Sequence, residues 1–137
     1  MTELVEALML IEALDKERMK AGQPAFVVDP KLQAVAQRRA REMADADSLD
    51  AEPAQGLAPF ESAARSGYRS SRIGAEAAAG LTTPEEVAKT WLDRDAGRKH
   101  LLGDFTEVGA GYATTKEGVP YWFLLIGQPA PANAQPE

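Results

Sequence analysis

Apolar residues recur at helical spacing in the first part of the chain. Leu4, Leu8, Ile11 and Leu14 lie three or four positions apart, with acidic residues between them. This is the pattern of an amphipathic helix. Gly22 follows as a helix stop. The pattern predicts a first helix that ends at this glycine.

A second amphipathic helix is predicted after Asp29-Pro30, because Asp is a favourable N-cap and Pro suits the first helical position. The residues of its inward stripe are small or flexible and predict a closely packed neighbour. They are Leu32, Ala36, Ala40 and Met43.

Residues 45–59 show no periodicity and are rich in Asp, Ala, Gly and Pro, so they are predicted to form a loop. A short helix over 60–66 and a capping box at Thr83-Pro84-Glu85-Glu86 follow. In the box, Thr83 caps the third helical amide while Glu86 reaches back to the cap amide. Val87, Trp91 and Leu92 of this later helix are expected in the core.

The end of the chain has the period-two pattern of strands. Val108, Ala110 and Tyr112 alternate with glycines and alanine, which predicts a strand covered by something tightly packed. After a turn over 114–120, the run 121–126 is apolar on both faces, so the predicted antiparallel hairpin lies between helices on both sides. One domain is expected over 1–127, and the proline-rich segment 128–137 is expected to be a disordered tail.

Composition limits the chemistry. The 137 residues carry a net charge of −6, no cysteine and one histidine, His100. A thiolate or multi-histidine metal site and a cysteine nucleophile are therefore excluded, and neither a cofactor nor a metal is expected. The negative charge opposes nucleic-acid binding, and no apolar run approaches the ~20 residues that span a bilayer. A loose Ca²⁺ or Mg²⁺ site in the acidic loop at Asp45, Asp47, Asp50 and Glu52 is conceivable, but a solvated loop is preferred.

In order and spacing, these segments resemble the CAP superfamily, which includes cysteine-rich secretory proteins, venom antigens and plant pathogenesis-related proteins. The similarity is to its short bacterial SCP-like branch and covers residues 10–127. The residues that carry it are Leu14, Arg18, Gly22 and Pro24, then Asp29-Pro30-Lys31-Leu32 with Ala36-Gln37 and Ala40, then Gly67-Tyr68, Thr83-Pro84-Glu85-Glu86-Val87 with Trp91, and Phe105-Thr106-Glu107-Val108-Gly109-Ala110-Gly111-Tyr112.

The resemblance implies an α+β fold, a three-layer α-β-α sandwich with a short antiparallel sheet between helical layers. It also implies an exported protein, extracellular or periplasmic. Met1-Thr2-Glu3 lacks the basic start of a signal peptide. The expectation is therefore a chain that begins after a removed leader, with a cytoplasmic location kept open.

The same resemblance points to a cleft that has lost its usual polar residues. Where bacterial relatives carry histidine in the loop after the second helix, this chain has Leu49. At the family's second histidine position it has Gly97, and His100 stands about one helical turn away. Ungapped counting puts Ala75 at the acidic position, whereas a shift of one residue puts Glu76 there.

Three functions are compatible with these residues. The preferred one is a non-catalytic domain that binds a small apolar or lipid-like ligand, or a protein partner, in a cleft formed by Glu76, His100, Leu49 and Gly97. A cell-envelope hydrolase or peptidase with Glu76 and His100 as acid and base is the second, and Glu107 is the only other carboxylate nominated to pair with Glu76. For Glu107 a structural hydrogen bond to loop backbone is preferred. The third function is a structural module of a larger exported protein.

Overall fold

The fold is a three-layer sandwich in which helices cover both faces of one sheet. A computed structural model describes residues 2–51 and 58–130. In chain order the elements are α1 (Thr2–Lys20), β1 (Val27–Val28), α2 (Pro30–Ala46), α3 (Pro59–Arg65), β2 (Ser70–Ala79), α4 (Pro84–Leu92), α5 (Asp95–Leu101), β3 (Glu107–Thr114) and β4 (Pro120–Pro129).

The four strands lie in the order β1-β3-β4-β2. The predicted hairpin is confirmed, because β3 and β4 pair antiparallel around a turn at Gly118. Two strands are additions to the prediction. Strand β1 pairs with β3 in parallel, which makes the sheet mixed, and β2 pairs antiparallel with the other side of β4.

Side chains alternate between the two faces of the sheet, and each face has its own core. One core joins the sheet to α1, α4 and α5; its strand residues are Ala78, Val108, Ala110, Trp122, Leu124 and Ile126. The other joins the sheet to α2 and α3; its strand residues are Ala113, Tyr121, Phe123 and Leu125. The apolar strand β4 is buried on both sides, as its sequence predicted.

Glycines on β3 allow α2 to lie directly against the sheet. A Cβ added to Gly109 would overlap the backbone of Leu32, and one added to Gly111 would overlap the carbonyl of Ala36. The tight packing predicted over this strand is therefore confirmed. All four residues of the predicted inward stripe of α2 are buried.

Helix starts follow the predicted capping signals. The Asp29 carboxylate accepts hydrogen bonds from the first amides of α2. At α4, Thr83 Oγ1 accepts from the Glu86 amide and the Glu86 carboxylate accepts from the Thr83 amide, both at 3.1 Å. The Thr82 hydroxyl and the backbone amides of Thr82 and Thr83 donate hydrogen bonds to the Glu86 carboxylate and lower its pKa.

Two predicted boundaries are wrong by a few residues. Helix α2 continues to Ala46, because its last turn buries Ala44, so the loop begins later than predicted. Strand β4 continues to Pro129, with Gln128 paired to Arg72 of β2, so the tail cannot begin at 128. Residues 52–57 of the predicted loop and 131–137 of the predicted tail lie outside the described residues. Within the described part, no helix has the length and apolarity needed to cross a membrane.

Candidate functional site

The alternation of β2 divides its residues between the two faces of the sheet. Ala78 packs in the core of α1, α4 and α5, whereas Ala77 packs in the core of α2 and α3. Since successive side chains of a strand point to opposite faces, Glu76 lies on the α4–α5 face and Ala75 on the other. The ambiguity between these two residues thus has a structural answer: Glu76 is the one directed towards α5.

Glu76 is buried, with 6% of its side chain exposed, and both of its oxygens have partners. Arg94, the residue before α5, donates from Nη2 to Oε1 at 2.6 Å. His100, near the end of α5, meets Oε2 through Nδ1 at 2.7 Å. A buried carboxylate is costly unless it is paired, and here a guanidinium and an imidazole share that role.

The His100 ring is held over the sheet by small and aromatic neighbours. It lies against Gly74, where an added Cβ would come within 3.4 Å of the ring. Its edge contacts the buried Phe105 ring, with the centroids 6.0 Å apart. Because an ionised carboxylate only accepts hydrogen bonds, Nδ1 carries the proton in the contact with Glu76. The described residues offer no hydrogen-bond partner to Nε2, which is the nitrogen left for a ligand.

Arg72 extends this group of residues along β2. It lies on the same face of the strand as Gly74 and Glu76, with its guanidinium 4.5 Å above the Phe105 ring. Its Nη1 is 3.4 Å from the Gln128 side-chain oxygen. No carboxylate of the described residues forms an ion pair with it.

A buried arginine supports the segment that carries His100 and Phe105. Arg18 of α1 is 1% exposed and donates to the carbonyls of Leu101, Gly103 and Phe105. Its Nε also donates to the Pro24 carbonyl. Burial lowers the pKa of Arg18, and the nearby Asp15 carboxylate opposes that shift. The side chain therefore fixes the connection from α5 to β3.

The remaining predicted cleft residues do not join Glu76 and His100. Leu49 is 44% exposed and lies in the turn after α2, the helix that covers the other face of the sheet. Gly97 is buried in α5, and a Cβ there would overlap the carbonyl oxygen of Trp91. A side chain at 97 has no room in this backbone, so an imidazole at that position would require α5 to move.

Glu107 lies on the opposite face of the sheet from Glu76. It accepts a hydrogen bond of 2.7 Å from the Tyr68 hydroxyl, rather than from loop backbone. Burial, and then the Glu107 carboxylate, raise the pKa of Tyr68. Since the sheet separates the two carboxylates, Glu76 and Glu107 cannot act as a pair on one bound substrate.

Glu76 and His100 form a base oriented by a carboxylate, and the surrounding arginines add positive charge. In the part of the chain that the structure describes, no three acidic, histidine or cysteine side chains converge in a way that could hold a metal. Glu52, a member of the acidic set considered for Ca²⁺ or Mg²⁺, is outside that part.

Sequence reasoning missed three arginines of this region. The sequence alone assigned no role to Arg72 or Arg94, and it identified Arg18 only as one of the residues that carry the family resemblance. The signal available in the sequence was the alternation of Arg72, Gly74 and Glu76 within β2. That signal is weak because the strand consists mainly of Ser, Gly and Ala, which have low strand propensity.

An α+β sandwich with this order of elements defines a class of small domains. The model of the cysteine-rich secretory protein family, CAP, matches residues 11–126. The chain belongs to this family. Its curated relative YkwD, an uncharacterised protein from Bacillus subtilis (strain 168), is 31% identical over 104 residues. That match covers 75% of the chain and 40% of YkwD.

Solved structures share the fold at low sequence identity. An outer surface protein from Borrelia burgdorferi has a TM-score of 0.78 at 17% identity, with 88% of this chain and 90% of that one covered. An extracellular protein containing a SCP domain from Bacillus anthracis str. Ames has a TM-score of 0.74 at 18% identity, with 92% and 41% covered. The three-layer fold expected from the sequence is therefore confirmed.

Proposed function

We propose that this CAP domain is a non-catalytic binding domain that acts outside the cytoplasm. The observation that supports it is the state of Glu76, the one acidic residue of the candidate site. Its two oxygens are engaged at 2.6 and 2.7 Å by Arg94 and His100. Both oxygens are therefore engaged within the protein, and with 6% of the side chain exposed a substrate has little access to this carboxylate.

An apolar or lipid-like ligand has a candidate groove between α1 and α4. The groove has a volume of about 370 Å³. Its floor is apolar, from Ala13, Ala88 and Leu92, and its rim is charged, from Lys16, Glu17, Glu85, Lys89, Asp93 and Arg98. The apolar floor suits the nonpolar part of a small ligand, and the charged rim suits a polar end group. A protein partner with a short apolar segment fits the same description.

Hydrolysis is the alternative that a specific observation favours. The Glu76–His100 contact resembles the orienting half of a catalytic triad, in which a carboxylate holds the imidazole that acts as base. His100 keeps about a third of its side chain exposed, and Nε2 has no hydrogen-bond partner among the described residues, so it is the nitrogen that would act on a substrate. A nucleophile or an activated water on that side would complete this mechanism.

Two further proposals concern the setting of the domain. The solved relatives named above as outer-surface and extracellular proteins support an extracytoplasmic location. The chain spans 40% of the length of YkwD, which supports the alternative of a structural module within a longer exported protein.

The experiment compares Glu76→Gln and His100→Ala with the unchanged protein. Hydrolysis of peptide, ester and glycan substrates is measured together with thermal shifts produced by fatty acids, sterols and Zn²⁺. Non-catalytic binding predicts no turnover by any form, a shift with an apolar ligand, and a shift that survives both substitutions. Turnover that both variants abolish, or stabilisation by Zn²⁺ alone, contradicts the proposal.

A further inference from the structure

Three side chains form a row along the exposed edge of the candidate site. His100 contacts Glu76 at one side and the Phe105 ring at the other. Arg94 is bound to the same Glu76, and Arg72 lies on the same Phe105 ring. The order along the row is therefore Arg72, His100, Arg94.

Both guanidiniums of the row have donors to spare. A guanidinium has five N–H donors. Arg94 uses Nη2 for Glu76 and keeps 54% of its side chain exposed. Arg72 is exposed, and its hydrogen bond to the neutral Gln128 amide leaves its charge unpaired within the described residues. Stacking on Phe105 orients Arg72, so less conformational freedom is lost when it binds.

The length of the row sets the size of the ligand. Arg72 and Glu76 are four residues apart on one face of β2, and a strand rises about 3.3 Å per residue. The Cα atoms of Arg72 and Glu76 are thus roughly 13 Å apart, and the imidazole and the Phe105 ring lie between the guanidiniums of Arg72 and Arg94. A single small anion cannot reach both ends, whereas a ligand with two separated oxyanions can.

We propose that this row binds an extended ligand carrying two phosphate or carboxylate groups, one on Arg72 and one on Arg94. Forked hydrogen bonds from arginine to such groups are strong and directional. The exposed neighbours Asp95 and Asp104 reduce the local positive potential. Affinity is therefore expected to be modest, with a dissociation constant on the order of 1 mM. The inference rests on the proposed binding function and names a ligand class for a second surface, which shares no lining residue with the groove between α1 and α4.

The test titrates the protein with hexane-1,6-diol bisphosphate, with hexyl phosphate and with suberate at constant ionic strength, followed by amide and arginine side-chain NMR signals. The bisphosphate is expected to bind about 10-fold more tightly than the monophosphate, with shifts at Arg72, Arg94 and His100. Binding of suberate as well would identify paired charge, rather than phosphate, as the recognised feature.

Three variants test whether binding depends on the residues of the row or only on the net charge of the protein. Arg72→Gln is expected to remove the advantage of the bisphosphate, a loss of about 10-fold. Arg94→Lys keeps the ion pair with Glu76 but loses the fork, and is expected to weaken binding about 3-fold. Arg65→Gln makes the same charge change as Arg72→Gln on α3, at the other face of the sheet, and is the matched control.

Equal affinity for the two phosphates, or equal effects of Arg72→Gln and Arg65→Gln, overturns the inference. Phosphorus NMR of the same samples keeps the two proposals distinguishable. Release of inorganic phosphate by the protein would overturn the non-catalytic function, while the absence of both binding and release would overturn only the inference about the row.

Discussion

Glu76 and Glu107 are acidic residues of one sheet with opposite surroundings. Glu76 faces α5 and is held by the guanidinium of Arg94 and the imidazole of His100. Glu107 faces the α2–α3 side and meets the neutral hydroxyl of Tyr68. The contacts of Glu76 leave a charged surface on which Arg94 has unused N–H donors. The contact of Glu107 links Tyr68 to β3. Strand parity, and not residue type, therefore decides which carboxylate belongs to the candidate site.

The two faces also differ in how closely the helices approach. On the Glu107 side, α2 lies directly on the glycines of β3. On the Glu76 side, the space over Gly74 is filled by the imidazole of His100, about a third of whose side chain is exposed, and by Ile126. One face is consequently packed backbone to backbone, and the other keeps room for polar side chains.

The largest expected effect comes from filling the close approach on the Glu107 side. Gly111→Ala places its Cβ into the Ala36 carbonyl of α2, so we expect a loss of about 3 kcal/mol in the free energy of unfolding. Gly74→Ala is the matched change on the other face. Its Cβ would lie 3.2 Å from Ile126 and 3.4 Å from His100, contacts that small side-chain movements relieve. Denaturant unfolding measures the free energy of unfolding of both variants. Equal losses would contradict the difference in helix packing between the two faces of the sheet.

Removal of the buried arginine should loosen the Glu76 side alone. Arg18→Met leaves the carbonyls of Leu101, Gly103 and Phe105 without their donor. We expect a loss of about 3 kcal/mol, and faster amide hydrogen exchange over 101–105 than around Tyr68. Arg18→Lys, which keeps the charge, should recover part of the stability. An equal increase in amide hydrogen exchange on both faces of the sheet would argue against a local supporting role for Arg18.

The two carboxylates themselves can be compared by the same substitution. Glu76→Gln removes the charge between Arg94 and His100 and should cost about 1–2 kcal/mol, with the exposed Arg94 limiting the loss because water can solvate it. Glu107→Gln keeps a hydrogen-bond acceptor for Tyr68 and should cost under about 1 kcal/mol. Chemical denaturation at two salt concentrations checks the order, and only the first change should alter the salt dependence.

The smallest effect is a pH dependence on the Glu107 side. Burial, and next the Glu107 contact, raise the pKa of Tyr68 above its ordinary value of 10.0. A raised folded pKa means that stability is complete below pH 10.0 and falls as pH rises through and beyond that value. Tyr68→Phe should therefore cost about 1 kcal/mol at pH 7 and flatten the alkaline decline. The same decline of the free energy of unfolding with pH above pH 10 in both proteins would refute this prediction.

Much of the fold could be predicted because its signals are local. The Asp29 cap, the Thr83–Glu86 box and the apolar run of β4 each depend on residues close together in the chain. Strand β2 escaped prediction, since its small residues become a strand only when β4 offers an apolar, hydrogen-bonding partner. The pairing between them joins segments about fifty residues apart, as in Glu76 with Leu124.

The candidate site was predicted in part. Glu76 and His100 were nominated together, and the structure brings them into contact. Leu49 and Gly97 were nominated only because they stand at the family's histidine positions. Position in the sequence does not show that Leu49 follows a helix on the other face of the sheet, or that Gly97 has no space for a side chain.

The sequence by itself determined the class of protein, the three-layer order of helices around an apolar hairpin, and the scarcity of metal and nucleophile chemistry. The class of protein and the three-layer order follow from the resemblance of ordered motifs to a known family, the covered hairpin follows from periodicity, and the limits on chemistry follow from composition. The tertiary structure alone decided that Glu76 rather than Ala75 faces α5, and that Arg94 and Arg72 flank His100. Those outcomes depend on strand register, where a shift of one residue turns every side chain to the opposite face.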